Sequence, residues 1–157
     1  MDIQELRKQP HLSVSSINSY IDCSLMYKFS RIDNLKADFL ADNLIFGSSI
    51  HRILAEFNQE KMMGNILSSE QVEDMFKTDW EKSAKDNPDI LYFKGNTYRI
   101  LLNQGVKMLQ EFMKRVPEND ATIIAIEEPF IMRIEGLDIP LIGIMDLVEE
   151  HDDGSLT

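Results

Sequence analysis

Cysteine is nearly missing from this sequence: Cys23 is the single one in 157 residues. No internal disulfide framework can form, and a cysteine-poor chain suits a reducing cytoplasm. One thiolate also cannot hold an iron–sulfur cluster, which takes several. Long hydrophobic runs are missing too. None approaches the roughly 20 apolar residues that cross a bilayer, so no membrane partner is expected. Residues 1–10, MDIQELRKQP, lack the apolar stretch of a signal peptide. Glycine and proline are sparse, with 7 and 5 residues, and there is no repeat or low-complexity tract. Positive charge is short: 16 Lys and Arg face 27 Asp and Glu, giving a net −11. That argues against a duplex binder that coats phosphates with cations. It does not exclude a nuclease, because a bound cation reverses the local field of its carboxylates. No GxxxxGK[ST], GxGxxG or nucleophile-elbow pattern occurs, so phosphate-loop and serine-triad chemistry have no support.

What is present is an ordinary globular composition, 43% hydrophobic and 27% charged, long enough to bury one core. HLSVSSINSYIDCSLMYKFSRI opens with serines suited to capping, and Ile17, Tyr20, Ile21 and Leu25 follow at helical spacing. The pattern predicts a short helix near 16–22, a second near 24–31 and a loop over 33–43. FGSSIHRILAEFNQEKMMGN is an amphipathic helix with Ile50, Ile53, Leu54 and Phe57 on one face, ended by Gly64-Asn65. Ser69 starts another helix through Phe76 and Trp80 to about Lys85, and DNPD breaks it. A long helix over 96–115 carries Leu101, Leu102, Val106, Leu109 and Phe112/Met113. From Ala121 the period changes to β. TIIAIEEPFIMRIEG and LDIPLIGIMDLVEE predict an antiparallel hairpin turning near 135–138. Asp153-Gly154 signals a second turn and the start of a third strand. The expected class is α/β in an α+β-like order: N-terminal helices, then an antiparallel β-hairpin. The expected division is a helical region over 1–118, containing the His51 helix, and an incomplete β-sheet over 119–157.

Asp146 ends the apolar strand IGIMD. Strand alternation puts it on the face of Ile142 and Ile144, which is costly for a carboxylate unless it is paired or metal-bound. The plainer reading is a strand emerging into solvent. Glu127 and Glu128 interrupt a second apolar strand, one pointing to each side, and Pro129 suggests an edge or a bulge. Carboxylates on both strands of a hairpin could converge on Mg²⁺ or Mn²⁺. His51 lies near a helix start beside Gly47, which would let another backbone come close. A lone histidine there is more often structural or exposed than a ligand. Cys23 reads as a small buried hydrophobe. Lys28, Arg31, Lys107, Lys114 and Arg115 could track a DNA backbone, although a solvated face is the plainer reading.

Four stretches resemble one family in order. LSVSSINSYIDCSLMYKF resembles the Ser-x-Ser-x-Leu/Ile-x-x-Tyr-x-x-Cys opening of RecB-like members of the PD-(D/E)XK nuclease superfamily, through Ser13, Ser15, Ile17, Tyr20 and Cys23. FGSSIHRILAEF resembles its Gly-x-x-x-His helix through Gly47 and His51. IAIEEPF resembles its Glu-x-x-Phe strand through Glu127 and Phe130. GIMDLVEEHDDGSL resembles its Gly-x-x-Asp strand and turn through Gly143, Asp146, Asp153 and Gly154. The resemblance implies a restriction-endonuclease-like core and a divalent-metal phosphodiesterase acting on DNA. His51 and Asp146 would be metal ligands and Glu127 a further acidic group, with Glu128 as the fallback. Asp146 and Glu127 would form the catalytic pair. It also implies an (Asp/Glu)-x-Lys motif on the next strand, and this sequence reaches Thr157 before one. The expectation is therefore a nuclease fragment that is nearly inert alone, with a helicase or another recombination or repair subunit as a possible partner and an exposed sheet edge that favours homo-oligomers. A non-catalytic binding domain that kept the fold is the alternative. Without the resemblance, the reading is a helical interaction module with an acidic surface for basic partners.

Overall fold

Hydroxyl side chains start three of the helices. Ser13 caps α1 (Val14–Asp22), Ser68 caps α4 (Ser69–Asp86) and Thr97 caps α5 (Tyr98–Arg115). Each oxygen accepts the amide three residues on at 3.2 Å, worth about 1 kcal/mol apiece. The structure is a computed structural model that describes residue 5, residues 8–118 and residues 121–157. The start of the polar stretch 1–10 and the expected boundary at 118–119 fall outside those residues. Between α1 and α4 come α2 (Ser24–Tyr27), a π-helical turn (Lys28–Ile32), strand β1 (Leu40–Ala41) and α3 (Asp42–Met62). Strand β2 (Ile90–Leu91) precedes α5, and β3 (Thr122–Met132) and β4 (Leu141–Glu150) follow it. The result is a mixed α/β chain whose β3 and β4 pair as the expected antiparallel hairpin.

Two compact units make up the chain: Met1–Ala37 with Glu127–Asp146, and Asp38–Ile126 with Leu147–Thr157. The larger unit holds a helical core. Val72, Phe76 and Trp80 of α4 are fully buried between Ile50, Ile53 and Phe57 of α3 and Leu101 and Leu109 of α5. Trp80 stacks on Tyr98 at 5.8 Å and donates its indole N–H to the Tyr98 carbonyl. Phe46 meets Trp80 and Phe76 edge-on, and Phe57 meets Phe112 in the same way. A Cβ at Gly105 would overlap the Phe76 ring. Alanine would raise helix propensity by about 1 kcal/mol, but Phe76 is fully buried and has nowhere to go, so packing decides this position.

The same unit corrects the expected loop over 33–43. Residues 40–41 pair with 90–91 as short parallel strands, and α3 begins at Asp42. The buried Asp42 carboxylate accepts from the Phe93 and Asn43 amides and from Asn96 Nδ2 at 2.7 Å. Those distant donors fix the helix start, and no local pattern announces them. α3 ends as expected, with Gly64 at φ +87°. Near the other end of this unit, the Asp153-Gly154 turn forms, with Gly154 at φ +79°, and Leu156 bridges Glu150 in antiparallel fashion.

In the smaller unit, Leu12 lies parallel to Leu141. Its amide donates to the Pro140 carbonyl and its carbonyl accepts from the Ile142 amide, both at 2.9 Å. This bridge holds the segment before α1 beside β4. Ser13 and Ser16 satisfy each other in a capping box. Cys23 is exposed, contrary to the expectation of burial. Its extended backbone (φ −161°) separates α1 from α2 and leaves the side chain outside both. The apolar positions Tyr20, Ile21 and Leu25 also stay exposed, at 59%, 74% and 56%.

Candidate functional site

β3 and β4 carry the candidate carboxylates. Burial falls from Ile142 to Asp146 on one face of β4: Ile142 is 2% exposed, Ile144 is half-buried and Asp146 is exposed, while residues 147–149 are half-buried again. Glu127 and Glu128 are both exposed on β3. Glu127 holds φ +53° in mid-strand, a left-handed conformation that costs an L-residue about 1–2 kcal/mol. A left-handed residue within a strand is the local geometry of a bulge, and Pro129 two positions on has no amide to give the ladder. β3 itself runs unbroken from Thr122 to Met132, with its left-handed residue at the candidate carboxylate.

The motif residues that flank the carboxylates pack on each other. The Phe130 ring lies over Gly143, where a Cβ would come within 2.6 Å of it. Phe130 and Glu127 are three residues apart on β3, as Gly143 and Asp146 are on β4. A glycine is needed at 143 because the ring takes the space of a side chain. Spacing alone gives no sign of this contact.

His51 sits on α3 in the larger unit and is exposed. Neither His51 nor Asp146 lacks an interaction partner. Gly47 does not serve the close backbone approach expected of it: a Cβ there would meet nothing within 4 Å. The donor types match an oxygen-preferring divalent cation, with two carboxylates and one imidazole. Among the described residues, however, no three His, Cys, Asp or Glu side chains are gathered as a metal site requires. The chemistry of the donors fits a metal.

Of the basic candidates, Lys28 pairs with Asp33 at 2.7 Å and Lys114 with Glu111 at 2.6 Å. Arg31 instead lines a cleft with Ser13, Ser15, Phe130 and Gly143. Three of the four resembling stretches contribute to it or to the strands beneath it. No helix among the described residues is long and apolar enough to cross a membrane.

The PD-(D/E)XK nuclease superfamily matches residues 11–157. No curated protein and no solved structure gives a match. The matched span takes in the capped α1, the His51 helix and both strands of the hairpin, and on that span the chain belongs to the PD-(D/E)XK nuclease superfamily.

Proposed function

We propose that this chain carries part of a metal-dependent DNA nuclease of the RecB-like exonuclease branch, with Asp146 and Glu127 as its acidic pair and His51 as a further ligand. The observation that carries the reading is the superfamily match over residues 11–157, which includes both carboxylates on paired strands. Bound Mg²⁺ or Mn²⁺ would neutralise phosphate charge and lower the pKa of an attacking water. Asp146 and Glu127 would supply the hard oxygen donors such a cation prefers. A ligand role would give a reason for the strained, left-handed backbone at Glu127, since strain of this kind gathers at functional sites. DNA is the substrate class, and a helicase or another repair subunit would bring it to the site.

A second reading has its own support. With no three-residue ligand group among the described residues, the chain would be a binding domain that keeps the fold without the chemistry. Calorimetry with Mn²⁺ separates the two. The nuclease reading expects a weak site that Asp146→Ala abolishes. A chain that binds DNA but gives no heat with Mn²⁺, or gives the same heat after that substitution, belongs to the second reading.

A further inference from the structure

The smaller unit contains a cleft of about 520 Å³, lined by His11, residues 13–15, Phe130 and residues 142–144. Arg31 reaches it from the π-helical turn. Arg31 has no carboxylate partner among the described residues. Among the described residues lining the cleft none is Asp or Glu, in a chain that holds 27 of them. In a molecule of charge −11, a described lining with a cation and no carboxylate repels an anion less than the acidic surface at large.

The donors there suit phosphoryl oxygens. Ser13 and Ser15 place their hydroxyls 3.2 Å apart. His11 donates Nδ1–H to the Gln9 carbonyl at 2.8 Å, which fixes the ring at the cleft. The capping box engages the Ser16 amide but not those of Val14 and Ser15, and first-turn amides have no partner within a helix. The cleft is larger than one phosphate needs, and the Phe130 ring supplies a face for a sugar or base.

We propose that this cleft, built by His11, Ser13, Ser15, Arg31, Phe130 and Gly143, binds a phosphodiester of single-stranded nucleic acid. It rests on the nucleic-acid reading above and adds a strand-holding subsite separate from the carboxylates. Arg31 makes the charged contact, the hydroxyls and amides orient the phosphoryl oxygens, and Phe130 takes an adjoining base or sugar.

The test is fluorescence anisotropy of a labelled oligothymidylate with the whole chain in EDTA at low salt. Arg31→Glu weakens binding by about tenfold and lowers the salt slope by roughly one. Lys82→Glu, the same charge change at an exposed site on α4, stays within about twofold of the parent, as expected for a cation that holds no phosphate. Equal losses in both variants, no loss in Arg31→Glu, or no binding by the parent chain overturns the proposal. Amide shifts at residues 13–15 with inorganic phosphate, without oligonucleotide binding, assign the cleft to free phosphate and overturn the nucleic-acid part. EDTA removes the metal, so failure here leaves the metal reading standing, and failure of Mn²⁺ binding leaves this result standing.

Discussion

At the scale of single residues, Glu127 and Gly143 carry the sharpest consequences. Glu127 holds a conformation that glycine adopts without strain. Glu127→Gly is therefore expected to cost no stability, and to gain up to about 1 kcal/mol in urea unfolding, while it removes one proposed metal ligand. Lost stability together with unchanged Mn²⁺ binding would contradict both halves of that expectation. Gly143 answers to the Phe130 ring. Gly143→Ala is expected to cost about 1–3 kcal/mol by overpacking. In a Phe130→Ala background the same change should cost much less, and the coupling of the two is the measured quantity. Additive losses would mean that the ring does not set the requirement for glycine.

At the scale of elements, the helices were legible because their burial follows the sequence period. The stripes at 50, 53 and 57 and at 101 and 109 are the buried faces of α3 and α5, and Val72, Phe76 and Trp80 are the buried face of α4. The strand pair β1–β2 and the start of α3 were not legible. They depend on Asp42 meeting donors 51 and 54 residues away, and no local pattern encodes that. The buried glycine at 105 escaped for the same reason. In the candidate site, residue type pointed to Glu127 and Asp146, but the left-handed backbone and the Phe130–Gly143 contact arise only when the strands pair. One pairing between elements also sets a pH response. Arg52 on α3 grips Asp79 on α4 through two bonds of 2.9 and 2.8 Å, beside the buried hydroxyls of Ser49 and Ser83. Burial pushes the Asp79 carboxyl up, but hydrogen bonds from Arg52, Ser49 and Ser83 outweigh it and hold the group below its ordinary value. A lowered carboxyl stabilises the fold above its unfolded-state value, and that contribution fades as pH falls through the lower folded value. Urea unfolding should show Asp79→Asn less stable than the parent near neutrality, with the gap closing below about pH 4. A gap that does not change with pH would contradict the assignment.

At the scale of the whole molecule, exposed apolar surface and an open sheet edge govern behaviour in solution. Tyr20, Ile21, Leu25 and Met26 are all more than half exposed. Among the described residues β3 pairs with β4 alone, so its other edge has unmet backbone donors and acceptors. Light scattering over a concentration series should show self-association, and a monomer at every concentration would contradict that. Membership in the superfamily rests on the span 11–157, and the proposed chemistry rests on a few side chains within it. The most direct test of that chemistry is a titration of the isotope-labelled chain with trace Mn²⁺, read as paramagnetic loss of amide signals. The account predicts that signals around Glu127 and Asp146 vanish first, with His51 among the earliest. Loss centred elsewhere, as at the exposed Asp152-Asp153 turn, or spread evenly over the 27 acidic residues, would contradict a metal centre on the paired strands.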